Sequence, residues 1–232
     1  MILINSPART TGSNHTLNRR HSAVIFDFGG VITTSPFEAF NRLEADRGLP
    51  RDFIRRVNSA NPDSNAWARF ERSEIDAGTF DALFELESAE LGHPLAGGAV
   101  LAVLAGSIRP AMVAALDRLA EAGLRLACIT NNVPAGHGAG MARSGDSSDA
   151  YERIFARFEQ VIESSKAGLR KPDPRIYTMM CDLLGVAAAD CIYLDDLGIN
   201  CKPAAQLGMH AIKVTSGEQA LAELGAVLGL QF

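Results

Sequence analysis

The sequence predicts an α/β fold: a doubly wound parallel sheet carrying an inserted helical segment. Two observations predict it. Five short apolar runs, each bounded by glycine, proline or polar residues, alternate with amphipathic helical patterns beyond residue 20. One stretch, from about Phe37 to Ser107, breaks that alternation with helical periodicity and no convincing strand. Strands alternating with helices favour a parallel sheet covered on both faces.

The polar residues 1–20 lack the apolar core of a secretory signal and are expected to be a flexible tail. Ala23–Phe28 has the β-branched start and glycine stop of a buried strand ending in a tight turn. Phe37, Phe40 and Leu43, then Phe80, Leu83, Phe84 and Leu91, give the next stretch its helical spacing. It joins the rest through Ser35-Pro36 and Gly106–Pro110. Residues 21–36 and 108–232 are therefore expected to form the core, and 37–107 a small α-helical cap.

In Arg109–Ala122, Pro110 suits a first helical turn, Val113, Leu116 and Leu119 share a face, and Gly123 is a stop. Leu124–Ile129 is the second strand. Val133–Asp149, rich in Gly, Ser and Pro, is expected to be a long loop, and such loops are usually functional or mobile. Phe158–Ile162 is the third strand, followed by a helix over Pro172–Leu184 that ends at Gly185. Cys191–Leu194 and His210–Val214 complete the sheet, and Ser216-Gly217-Glu218-Gln219 resembles a capping box before a last helix.

The 232 residues can bury a substantial core, and 47 % apolar with 21 % charged residues is ordinary for a globular chain. A net charge of -5 argues against nucleic acid as the main partner. No apolar run approaches the roughly 18–20 residues of a membrane helix. Cys128, Cys181, Cys191 and Cys201 form no C-x-x-C pair and read as buried reduced thiols. Together these features point to the cytoplasm.

Four short elements stand at the carboxyl ends of four predicted strands. They are Asp27 before Gly29-Gly30, Thr130 with Asn131 and Asn132, Lys171 after Arg170, and the pair Asp195-Asp196. Each has an ordinary reading: turn former, strand end, surface cation, helix cap. Their conjunction does not, because ligands of an open parallel sheet bind in the crevice at the carboxyl ends of its strands. Three carboxylates there repel unless a cation sits among them, and hard oxygen ligands suit Mg²⁺. Lys171 stands out because the chain has 18 Arg and only 4 Lys.

These motifs, in this order, resemble the haloacid dehalogenase superfamily, with its Rossmann-like core and a helical cap inserted after the first motif. The resemblance runs from Val24 to Val214. The stretches Trp67–Phe80 and Leu194–Met209 are most similar to the phosphatase domain of soluble epoxide hydrolases and to sugar phosphatases. It implies that Asp27 is a nucleophile forming an aspartyl-phosphate, that Thr130 bonds the phosphoryl oxygens and that Lys171 neutralises charge. It also implies a Mg²⁺ held by Asp27, the Gly29 carbonyl and Asp196 with support from Asp195, and a small phosphorylated substrate bordered by Asn131. One departure stands out: phosphatases of this group usually carry a second Asp, the acid and base, where this chain has Gly29. Two alternatives follow from that gap, a 2-haloacid dehalogenase and a non-catalytic binding module that keeps the fold.

Overall fold

The structure is a computed structural model and describes residues 21–134 and 145–232. The expected N-terminal tail lies outside the described residues. Five parallel strands form one sheet: β1 (Ala23–Phe26), β2 (Arg125–Thr130), β3 (Gln160–Glu163), β4 (Cys191–Asp195) and β5 (His210–Lys213), in the order β3-β2-β1-β4-β5. Chain order reverses at β1, which pairs with β2 on one side and β4 on the other. That arrangement opens the crevice beyond its carboxyl end.

β1 reads Ala-Val-Ile-Phe because both of its faces are covered. Val24 and Phe26 face a cluster under three helices: α6 (Pro110–Glu121), α7 (Gly145–Phe155) and α11 (Gly217–Leu228). Ala23 and Ile25 face the opposite cluster, which includes Ile176, Tyr177 and Met180 of α9 (Pro174–Leu184) and Ala204 of α10 (Gly198–Gln206). The four-residue turn α8 (Ser164–Ala167) follows β3 directly. The capping box is present at α11, where Ser216 accepts from the Gln219 backbone and the Gln219 side chain reaches back.

Between β1 and α6 lie five helices: α1 (Pro36–Asp46), α2 (Phe53–Ser59), α3 (Ala66–Glu71), α4 (Ala77–Glu90) and α5 (Gly97–Leu101). They share an aromatic core in which Phe70 stacks on Phe80 with ring centroids 4.7 Å apart. The two legs joining these helices to the sheet are not loose. Thr33 and Ile108 form an antiparallel bridge, Thr34 N–H donates to Ser107 O at 2.8 Å, and Arg109 N–H donates to Ile32 O at 2.9 Å. Gly106 permits this approach, since a Cβ there would meet Thr34 O at 2.5 Å.

One expectation fails in part. The loop predicted through Asp149 stops earlier, because α7 begins at Gly145. Glycine, serine and aspartate hide that start from a reading by hydrophobic pattern; the apolar positions Tyr151 and Ile154, both buried, come only in its later turns. The part of that loop before Gly145, from residue 135, lies outside the described residues.

Candidate active site

Asp27 is the first residue beyond β1, and its N–H continues the ladder by donating to Leu194 O at 2.8 Å. Its side chain is buried at the centre of the crevice. Asp27 Oδ1 accepts from Phe28 N–H at 2.7 Å and from the Lys171 ammonium, also at 2.7 Å. Lys171 Nζ donates equally to Asp195 Oδ2 at 2.8 Å. One ammonium, 1 % exposed, is thus clamped between two carboxylates.

Asp195 and Asp196 are neighbours in sequence with different surroundings. Asp195 ends β4 fully buried, and donors occupy both of its oxygens. Besides Lys171 these are Tyr193 OH at 2.5 Å, Leu197 N–H at 2.8 Å and the Asn200 amide at 3.1 Å to each oxygen. Asp196 receives the Ser35 hydroxyl at 3.0 Å and retains some exposure. Oxygens of Asp27, Asp195 and Asp196 all lie within 4.8 Å of one another.

The charge balance sets the electrostatics. Burial first, and then the Asp195 and Asp196 charges, push the Asp27 carboxyl well above the usual range, although Lys171 pulls it down. Burial and Asp195 raise Asp196 to about 6 against the opposing pull of Ser35 and Lys171. Burial alone would lower Lys171, but Asp195 and Asp27 overcome it and hold the ammonium firmly protonated. Three carboxylates facing one ammonium leave an excess of negative charge in a low-dielectric pocket.

The two glycines after Asp27 differ. Gly30 has φ +80°, and a Cβ there would lie 2.1 Å from Asp196 Oδ2, so only glycine lets the turn pass beneath that carboxylate. Gly29 has no positive φ, and a Cβ built on it meets nothing within 4 Å. The close approach to Asp196 therefore belongs to Gly30, and Gly29 makes none.

Thr130 is buried at the end of β2, the strand beside β1. Asn131, the next residue, ties itself to Lys171 instead of standing free: its Oδ1 accepts from Lys171 N–H at 2.9 Å, and its Nδ2 donates to Lys171 O at 3.0 Å. Asn132 holds the ends of β2 and β3 together through Ser164, Ser165 and Glu163. Motif reading missed Tyr193, Asn200 and Glu71, which border this cluster. Tyr193 has a visible signal, since it stands two residues before Asp195 on a strand and so shares its face.

A model of the family described as "Hydrolase: haloacid dehalogenase-like hydrolase" matches residues 21–208. The chain belongs to that family. This haloacid dehalogenase-like hydrolase is 35 % identical over 239 residues to acyl-CoA dehydrogenase family member 10 of Mus musculus, covering 95 % of this chain and 22 % of the relative. It is 29 % identical over 222 residues to bifunctional epoxide hydrolase 2 of Mus musculus, covering 89 % and 39 %. The hydrolase thus spans well under half the length of either relative. Sesquiterpene phosphatase astK of Aspergillus oryzae is 27 % identical over 212 residues, covering 89 % of this chain and 96 % of that one. Among solved structures, a family enzyme of Bacteroides thetaiotaomicron in complex with magnesium and inorganic phosphate shares the fold. Its TM-score is 0.54 at 16 % identity, covering 85 % of this chain and 96 % of that one. No helix among the described residues is long and apolar enough to cross a membrane.

Proposed function

We propose that this hydrolase is a Mg²⁺-dependent phosphatase acting on a small phosphorylated metabolite through an aspartyl-phosphate on Asp27. The observation that carries the reading is the crevice itself: a buried carboxylate beyond the central strand, held by Lys171, with two more carboxylates within 4.8 Å. The donor set fits Mg²⁺, being all oxygen and in excess of the one ammonium present. Asp27, Asp196 and the Gly29 carbonyl would hold the ion. Asp195 is the weaker ligand of the set, since its oxygens already accept five hydrogen bonds. When bound, the ion supplies charge stabilisation to the phosphoryl oxygens.

The chain's own residues supply the rest. An Asp27 oxygen attacks phosphorus, the bond from phosphorus to the leaving oxygen breaks, and water later cleaves the acyl-phosphate to return Asp27 and inorganic phosphate. Lys171 stays charged throughout and neutralises the transferring group, while Asp195, Tyr193 and Asn200 keep the ammonium in place. Thr130 donates its hydroxyl to a phosphoryl oxygen, and Asn131 borders the substrate. Residues 37–107 act as the cap that shapes the substrate side.

Gly29 shapes specificity. With no carboxyl there, the leaving oxygen departs as an anion or takes its proton from water, which favours aryl, acyl and sugar 1-phosphates over primary alkyl phosphates. Phosphate release from a panel of esters, with and without Mg²⁺ and beside a halide-release assay, tests the reading. Halide release without phosphate release would replace it with dehalogenation; neither product would leave a binding module.

A further inference from the structure

Glu71 closes α3 on the helical insert, and its side chain is only 7 % exposed. Its two oxygens hold three donors from two parts of the chain. Trp67 Nε1 reaches Oε1 at 2.9 Å, from one turn earlier on the same helix. Arg170 Nε reaches Oε2 at 2.6 Å, and Asn131 Nδ2 reaches the same oxygen at 3.4 Å. Arg170 immediately precedes Lys171, and its other arm donates to Pro62 O at 2.9 Å, again on the insert. Asn131 brackets Lys171 by accepting from its N–H and donating to its carbonyl. One buried carboxylate therefore touches both groups that fix the backbone from which the crevice ammonium grows.

We propose that Glu71 is a positioning residue: with Arg170 it forms a latch that seats the helical insert on the sheet and sets Lys171 between Asp27 and Asp195. The proposal rests on the phosphatase reading of that crevice. Lysine carries its charge on a flexible four-carbon stem, so the place of its ammonium depends on how firmly its backbone is held. Placement errors of about 1 Å at reacting groups can cost about 10²-fold in rate. Both Glu71 oxygens are engaged by Trp67, Arg170 and Asn131, so the side chain is turned to these partners and does not stand in for the acid missing at Gly29. The latch also makes catalytic competence conditional on the insert being seated, since Arg170 and Asn131 come from the sheet side and Glu71 from the insert.

The test uses Glu71→Gln, Arg170→Ala and the double variant of the full chain. Glu71→Gln keeps the size of the side chain and removes its charge, and Ser73 Oγ still holds the insert to Ser165 O at 2.7 Å. Two readouts are taken: hydrogen exchange of the Lys171 amide, and kcat and KM with p-nitrophenyl phosphate and Mg²⁺. The latch predicts a loss of Lys171 amide protection in every variant. It further predicts a fall in kcat of about tenfold to a hundredfold with KM within threefold, and a double variant no worse than the poorer single one. Unchanged amide protection overturns the proposal. So does lost protection with kcat at the parent value, which would make the pair merely structural. A parent that releases no phosphate from any ester refutes the phosphatase reading, and amide protection then decides the latch by itself.

Discussion

The crevice at the carboxyl end of the sheet and the core of the helical insert are both buried, yet they are held in opposite ways. In the crevice, Asp27, Lys171, Asp195 and Asp196 sit together with more negative charge than the protein itself neutralises. In the insert, Phe70, Phe80 and Phe84 pack ring on ring with centroids 4.7 and 5.4 Å apart, and Phe40 and Phe80 each meet Trp67 edge-on in the same apolar core. The first arrangement stores unfavourable electrostatics that a bound cation would relieve; the second stores only apolar burial. Function and stability should therefore respond to different substitutions in the two places.

The sharpest way to break that contrast is to truncate one residue in each. Asp27→Asn should lower kcat by a factor on the order of 10⁶, as removing a nucleophile does, while leaving the melting temperature unchanged or higher without metal. Phe84→Ala should cost about 3–5 kcal/mol of stability while kcat per folded molecule stays within twofold. Matched losses of activity and stability in both variants, read by turnover and denaturant unfolding, would erase the distinction.

A finer test concerns leaving groups. Gly29→Asp places its Cβ in open space and needs no positive φ, so it should fold like the parent. Restoring an acid should raise kcat/KM for primary alkyl phosphates by about 10²–10⁴-fold and for aryl phosphates far less. A flat dependence on leaving-group pKa in the parent would show that another group already donates the proton.

Metal binding should carry a pH signature whose sign follows from the raised carboxyls. Asp196 is held up to about 6 when folded, above its unfolded value, so the folded state keeps a proton that the unfolded state releases. Metal-free stability is therefore greatest below the unfolded pKa and falls as pH rises through about 6. Asp27, also raised, contributes with the same sign. Mg²⁺ binds the ionised form, so its stabilisation should be small at acid pH and full above neutrality, where a concentration of 100 Kd gives about 2.7 kcal/mol. Thermal melts with and without Mg²⁺ across that range check it; a shift in melting temperature independent of pH would remove these carboxylates from the metal site.

The smallest expected effect separates the adjacent glycines. Gly30→Ala puts a methyl group against Asp196 at positive φ and should cost at least about 1–2 kcal/mol, together with weaker Mg²⁺ binding, whereas Gly29→Ala should be close to silent. Calorimetric titration of Mg²⁺ into each variant distinguishes them.

Much of this was legible in the sequence, for a physical reason. Strands buried on both faces, as β1 and β4 are, must be short continuous apolar runs, and all five strands could be placed to within about two residues of their observed starts and ends. Asp27, Asp195 and Asp196 were expected in one crevice because strand ends in a parallel sheet have nowhere else to point; Lys171, expected there too, reaches it from beyond α8 and not from the end of β3 itself. The partners of those groups were harder to read. Tyr193 and Asn200 look like a sheet residue and a helix residue until their contacts are known, and Glu71, a charged residue at the end of a short helix, reads as solvated surface. Nor does sequence say which of two glycines bears the positive φ, since both permit it.

The hydrogen-bonded legs at Thr33–Thr34 and Ser107–Arg109 have a consequence for how such a chain can be rebuilt. To the sheet, everything from Ser35 to Gly106 is a single hairpin loop whose two ends are already clasped. Closure entropy grows only slowly with loop length, by about 0.6 kcal/mol for each doubling. The segment is thus a natural cassette: helices of another length, grafted between Thr34 and Ser107, would change what the crevice sees while leaving the strand ladder its original register.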